Sequence, residues 1–222
     1  MSSRAPSSWL DPAVARYITD RLPGPDDIQR GLMAETTAKL GPRAGMQIGP
    51  DQGALMELLA RLVGARRVIE VGTFTGYSAL CLARAVGPEG RVTCCDISEE
   101  WTSIGRPYWE RAGVADRIDL RIAPAIETLR SLAPDDVIDL AFIDADKTSY
   151  RAYYEELLLR MRPNGLILVD NTLWSGRVLA PASDDDADTA ALQAFNDALA
   201  ADERVESYLL PIGDGLTLVR VR

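Results

Sequence analysis

The stretch Val68-Ile69-Glu70-Val71-Gly72-Thr73-Phe74-Thr75-Gly76-Tyr77-Ser78 decides the fold. Its first four residues carry three β-branched side chains, the pattern of a short buried strand, and Gly72 ends the run. From Thr75 to Val86 the apolar period becomes helical. The same alternation repeats downstream. Strands are predicted at Val92–Asp96, Ile118–Ile122, Ile138–Ile143 and Leu166–Val169, separated by helices at Ser98–Ala112, Ile126–Leu132 and Tyr150–Met161. Near-continuously apolar strands between helices predict a parallel sheet covered on both faces. The end of the chain breaks this rhythm. A helix at Ala190–Leu199 leads to strands at Val205–Leu210 and Leu216–Val221, with only Pro211-Ile212-Gly213-Asp214-Gly215 between them. Five residues cannot hold a helical crossover, so these two strands are antiparallel.

Upstream of Val68, residues 9–63 read as three helices punctuated by Pro23, Pro25, Gly41-Pro42 and Gly49-Pro50. The expectation is one domain over residues 1–222, with N-terminal helices in 1–63. An α/β core in 66–222 is built on a doubly wound, mostly parallel seven-stranded sheet that closes with an antiparallel hairpin.

Composition narrows the chemistry. A chain of 222 residues that is 47% hydrophobic and 26% charged suits one sizeable soluble core. No apolar run approaches the roughly 18 residues of a membrane span, and Met1–Ser8 reads as a polar terminus, not a secretory signal. Cys81, Cys94 and Cys95 lie in apolar surroundings without metal-ligand spacing, which fits reduced core residues in a cytoplasmic protein. The net charge of −9 disfavours nucleic acid as a partner. There is no histidine, which excludes a Ser-His pair, a histidine base and a His-ligated zinc. Only Lys39 and Lys147 are lysines among 24 basic residues, so a lysine inside a chemical motif is not an interchangeable surface cation.

In a doubly wound sheet, ligands sit beyond the carboxyl ends of the strands, here Gly72, Asp96, Ala123 to Ala125, Asp144 and Asp170. The turn after the first strand has neither Gly-x-Gly-x-x-Gly nor Gly-Lys-Ser/Thr, so the dinucleotide and P-loop fingerprints both fail. Glu70 is an acid in an apolar strand and needs a partner, either an arginine or a cationic ligand. Asp96, 24 positions after Gly72, suits the hydroxyls of a ribose or a helix cap, a role that Ser98 fills equally well. Asp144, Asp146 and Asp170-Asn171 follow two strands that can be neighbours. Oxygen donors without His or Cys select magnesium, calcium or manganese; the alternative is capping by the acids and turn formation by Asn171. Lys147 opens the next helix, where the macrodipole and a nearby metal would both favour the neutral amine that a general base requires.

Five blocks in order resemble the caffeoyl-CoA O-methyltransferase-like family of class I, cation-dependent methyltransferases. They are Met46–Gly53, Glu70–Ser78, Phe142–Lys147, Asp170–Gly176 and Leu210–Leu216, within a match running from about residue 28 to the end. The resemblance implies a Rossmann-like core and transfer of the methyl group of S-adenosylmethionine to a hydroxyl of a catechol-like acceptor. It places Glu70, Gly72, Ser78, Asp96, Ala125 and Asp144 at the S-adenosylmethionine, with Met46 and Ile48 near the same pocket. It makes Asp144, Asp170 and Asn171 ligands of a divalent metal, with Lys147 as general base beside Asp144, and it implies a homodimer. Trp174, close to Asn171, either walls the acceptor pocket or packs in the core. The acidic stretch Ala180–Asp188 carries none of the basic and aromatic residues that plant members place there for CoA esters, which favours a small dihydroxy aromatic over caffeoyl-CoA. A tRNA hydroxyuridine acceptor is disfavoured by the net charge, and a non-catalytic S-adenosylmethionine-binding module by the presence of Lys147 with every expected ligand.

Overall fold

The computed structural model describes residues 9–133 and 136–222; the expectation for Met1–Ser8 lies outside the described residues. Among the described residues the strands form one seven-stranded sheet in the order β3-β2-β1-β4-β5-β7-β6. The strands are β1 (Arg67–Val71), β2 (Arg91–Asp96), β3 (Ile118–Ile122), β4 (Ile138–Ile143), β5 (Met161–Val169), β6 (Val205–Leu210) and β7 (Leu216–Val221). The first five are parallel, and β7 pairs antiparallel with both β5 and β6. This is the expected topology.

Helices α1 (Pro12–Thr19), α2 (Asp27–Leu40) and α3 (Pro50–Leu62) precede the sheet. Asp11 caps α1, and Asp26 with Gln29 forms a reciprocal capping box on α2. Within the core, α4 (Tyr77–Ala85) follows β1 and α7 (Ala125–Ser131) follows β3. Helix α8 (Tyr150–Leu158) follows β4, and α9 (Ala187–Ala200) precedes the hairpin. Alternation along the strands divides the interior. Val68, Leu140, Phe142 and Leu168 pack with Met56, Leu80 and Leu82 on one face, while Ile69, Val71, Ile143, Ile167 and Val169 pack with Tyr150, Leu157 and Leu192 on the other. Full burial of each such side chain contributes roughly 1.5–3 kcal/mol.

Two expectations are corrected. The helix over Ser98–Ala112 is two helices, α5 (Glu99–Thr102) and α6 (Arg106–Arg111), broken at Gly105. The break brings Gly105 so close to the Thr75 carbonyl that a Cβ there would stand 2.6 Å from it. The helix after β4 ends at Leu158, and Met161 belongs to β5, which is nine residues long. Its first half, Met161-Arg162-Pro163-Asn164-Gly165, reads as a turn, and the β4–β5 register shifts between Ile138 and Leu140.

Candidate active site

A row of backbone hydrogen bonds joins the carboxyl ends of five strands into one rim. Ala123 N donates to Asp96 O, Gly72 N to Cys95 O, Asp144 N to Val71 O and Asp170 N to Ile143 O. Strand order reverses at β1, so the crevice expected of such sheets opens between β1 and β4. Gly72 has φ +91°, and a Cβ there would stand 2.0 Å from the Asp144 carbonyl oxygen. Only glycine allows the two strand ends to approach this closely. The turn beyond it is braced from outside: Trp109 Nε1 donates to Gly76 O (3.0 Å), and Thr36 and Gln47 meet Thr75 through their side chains.

Glu70 lies on the face of β1 that α4 covers and is fully buried. Neither of its carboxylate oxygens has a hydrogen-bond partner. Burial pushes its pKa up to about 7, against a smaller downward pull from the nearby Ser78, Thr73 and Cys94 side chains. Among the described residues no arginine pairs with it. Ser78 is buried in the first turn of α4 and Ala125 is the buried first residue of α7, so both stand behind this rim. Asp96 is already engaged: Oδ2 accepts from Thr73 N (2.9 Å) and Phe74 N (2.7 Å), and Oδ1 from Ser98 N (2.8 Å). It shapes the glycine turn from the neighbouring strand, while Ser98 caps α5. Met46 is half exposed, whereas the Ile48 side chain is buried in the core. Of this segment it is Gln47 that touches the glycine turn, through Thr75 at 3.4 Å.

Across the crevice, Lys147 is 7% exposed, which removes it from the surface cations. Its Nζ donates to Asp144 Oδ1 (3.2 Å), Ala145 O (3.0 Å) and Tyr150 Oη (2.5 Å). These three contacts fix the Lys147 amine between the loop that leaves β4 and the start of α8. Tyr150 Oη passes the chain on to Asp170 O (3.2 Å). Burial first, then the charges of Asp144, Asp170 and Asp146, holds this phenol well above its ordinary pKa, and it stays a neutral donor. Asp146 turns away to accept from Tyr153 (2.7 Å).

Asp170 is 3% exposed; burial and then the neighbouring Asp144 charge push its carboxyl upward, with Gln52, the Asn171 N–H and Lys147 pulling the other way. Asn171 is held at φ +58° with its N–H on Asp170 Oδ1 (2.7 Å). Asp144 and Asp170 lie close enough for one charge to act on the other, and paired carboxylates are hard oxygen donors of the kind a divalent cation takes. Among the described residues no group of three or more His, Cys, Asp or Glu is placed to hold a metal ion. Trp174 is part-buried in the second face of the core and its ring centre lies 5.6 Å from Lys147 Nζ. The core-packing reading of Trp174 is thus met in part, and its ring also borders the lysine. Tyr150 and Gln52 escaped the sequence reading. The spacing of Tyr150, three residues after Lys147, was the available signal; nothing local marks Gln52.

A family model described as O-methyltransferase matches residues 27–222. The chain is 40% identical over 210 residues to a probable caffeoyl-CoA O-methyltransferase 2 of Dictyostelium discoideum, covering 93% of this chain and 90% of that one. It is 42% identical over 200 residues to caffeoyl-CoA O-methyltransferase 2 of Zea mays, covering 85% and 74%. Among solved structures it resembles the O-methyltransferase from Bacillus cereus in complex with SAH, at TM-score 0.85 and 32% identity over 95% of this chain and 97% of that chain. It also resembles TomG from Streptomyces achromogenes, an O-methyltransferase of tomaymycin synthesis solved with SAM, at TM-score 0.85 and 28% identity over 100% and 99%.

Proposed function

Because the chain belongs to the O-methyltransferase family that includes the caffeoyl-CoA O-methyltransferases, and is thus a SAM-dependent O-methyltransferase, we propose that it methylates a small vicinal-dihydroxy aromatic with Lys147 as proton acceptor and a divalent metal at Asp144, Asp170 and Asn171. The observation that carries this reading is the buried Lys147 side chain wedged between Asp144 and Tyr150 beside a second, buried carboxylate.

S-adenosylmethionine supplies an electrophilic sulfonium methyl group. Glu70, buried without a partner, answers the cationic donor, Gly72 lets it approach the backbone, and Asp96 fixes the turn beneath it. A metal held by Asp144, Asp170 and Asn171 supplies Lewis acidity that lowers the pKa of a bound hydroxyl. Lys147 lies within hydrogen-bond reach of Asp144, so an acceptor hydroxyl at that carboxylate meets Nζ directly. To take a proton, Lys147 must be the neutral amine, with two N–H donors and a lone pair turned to the hydroxyl; a cation at Asp144 would compete for that carboxylate and free this position on Nζ. Trp174 provides an aromatic wall beside this corner. Orientation of the acceptor against a bound methyl donor is worth up to roughly 7–11 kcal/mol in well-aligned systems.

The test is a methyl-transfer screen over catechol, caffeate, caffeoyl-CoA and bulk tRNA, each with magnesium, calcium, manganese or chelator. Turnover of a small catechol that chelator abolishes supports the reading, and Lys147→Ala and Asp144→Ala should each lower kcat by about a hundredfold or more with an unchanged melting profile. Full activity of purified Asp144→Ala in chelator would sink the metal assignment. Turnover confined to caffeoyl-CoA would move the acceptor to the thioester that the plant relative is named for.

A further inference from the structure

The turn Pro211-Ile212-Gly213-Asp214-Gly215 joins β6 to β7 and lies far in sequence from the residues assigned above. The antiparallel pairing of β7 with β5, Val169 opposite Thr217, lays it against the loop that leaves β5. That loop carries Asp170, Asn171 and Trp174, and three of its non-glycine residues are left-handed: Asn171 (φ +58°), Trp174 (φ +46°) and Ser175 (φ +53°). L-residues adopt this conformation only when their surroundings impose it.

The hairpin turn imposes it. Thr172 N and Oγ1 both donate to Gly215 O (3.0 Å each), Leu173 N donates to Asp214 O (3.0 Å), and Ser175 N donates to Asp214 Oδ1 (2.6 Å). Ser175 Oγ is 3.4 Å from Asp214 Oδ2. Both glycines are needed for this fit. A Cβ on Gly215 (φ +90°) would stand 2.6 Å from Leu173 N, and one on Gly213 (φ +58°) 2.6 Å from Gln52 Oε1, the side chain that reaches Asp170. The Trp174 indole Nε1 is buried without a hydrogen-bond partner, so the ring is oriented by its backbone and by packing, not by a bond of its own.

We infer that Asp214 is a positioning residue for acceptor binding: its carboxylate holds the left-handed Trp174–Ser175 turn and thereby sets the indole that walls the acceptor site. This rests on the acceptor reading given above. Both contacts of Asp214 with Ser175 are made by a side chain of the hairpin turn, so they can be removed without touching the ladder.

The test compares wild type, Asp214→Ala and Asp214→Asn. It measures KM and kcat for a neutral catechol, Kd for S-adenosylhomocysteine by calorimetry, and acrylamide quenching of the Trp174 fluorescence, taken as the difference from Trp174→Phe in each background. Asp214→Ala should raise the acceptor KM roughly tenfold to a hundredfold and make Trp174 more quenchable, with S-adenosylhomocysteine affinity unchanged. Asp214→Asn, whose Oδ1 still accepts from Ser175 N, should restore both. The inference is overturned if the alanine variant keeps the wild-type quenching, if asparagine fails to rescue, or if S-adenosylhomocysteine affinity collapses alongside KM. A wild type inert toward catechols would defeat the acceptor reading alone, because quenching still reports whether Asp214 holds Trp174.

Discussion

At the scale of single residues, the two ends of the site are set by buried ionisable groups, Glu70 without a hydrogen-bond partner and Lys147 with three. Glu70 ionises near pH 7 in the folded, unliganded protein instead of near its ordinary 4.5. Between those values the folded state holds a proton that the unfolded chain releases, so stability from this group is greatest in acid and falls as pH rises through about 7. The full shift corresponds to a cost on the order of 3 kcal/mol above pH 7. Glu70→Gln should therefore melt at a higher temperature than wild type at pH 8 without cofactor, with the difference vanishing near pH 4.5, and should bind S-adenosylhomocysteine more weakly. Equal shifts at both pH values in thermal melts would show that burial of the charge is not the cause. Sequence alone marked Glu70 as an acid without an obvious partner; that neither carboxylate oxygen finds one is a fact of the surrounding helix. Lys147 shows the opposite relation. Its scarcity in the sequence singled it out, and the fold gives it three acceptors, Asp144, Ala145 and Tyr150, that its place at a helix start does not reveal.

At the scale of elements, glycines fix how closely the rim segments approach. Gly72→Ala would force a Cβ into the Asp144 carbonyl, moving the strand end that carries Asp144 and leads into Lys147. A loss of roughly 2–4 kcal/mol is expected, read as a lower urea midpoint with an unchanged slope; a midpoint within error of wild type would mean that the rim yields at no cost. The elements whose boundaries were misjudged from sequence share a cause. The break at Gly105 and the long first half of β5 are decided by contacts with distant backbone, Thr75 in one case and β4 in the other. Local propensity carries no information about such contacts. In the 46–48 segment, which the family resemblance places near the S-adenosylmethionine pocket, Gln47 meets the glycine turn through Thr75.

At the scale of the whole molecule, no helix of the described residues is long and apolar enough to cross a membrane. Large apolar side chains are nonetheless exposed on α1 and α3, among them Val14, Tyr17, Ile18, Leu58 and Leu62. Ile18 and Leu58 line a groove of about 650 Å³ that continues past Leu55, Leu210 and Ile212. Such a surface suits the homodimer that the family resemblance implies. Leu58→Asp combined with Leu62→Asp should halve the mass seen by light scattering if the chain pairs there, and a monomeric wild type would dismiss the expectation. The residues themselves determined the parallel sheet, its antiparallel close, the all-oxygen character of any metal site and the importance of Lys147. Those follow from periodicity and from which side chains are present, and both are properties of the chain as written. Tertiary structure decided which groups meet: the five strand ends in one rim, the Lys147 cradle, the strained Asn171–Ser175 loop and the hairpin turn that holds it. These are pairings between residues tens of positions apart, and only the strand order brings their side chains within a few ångströms of one another.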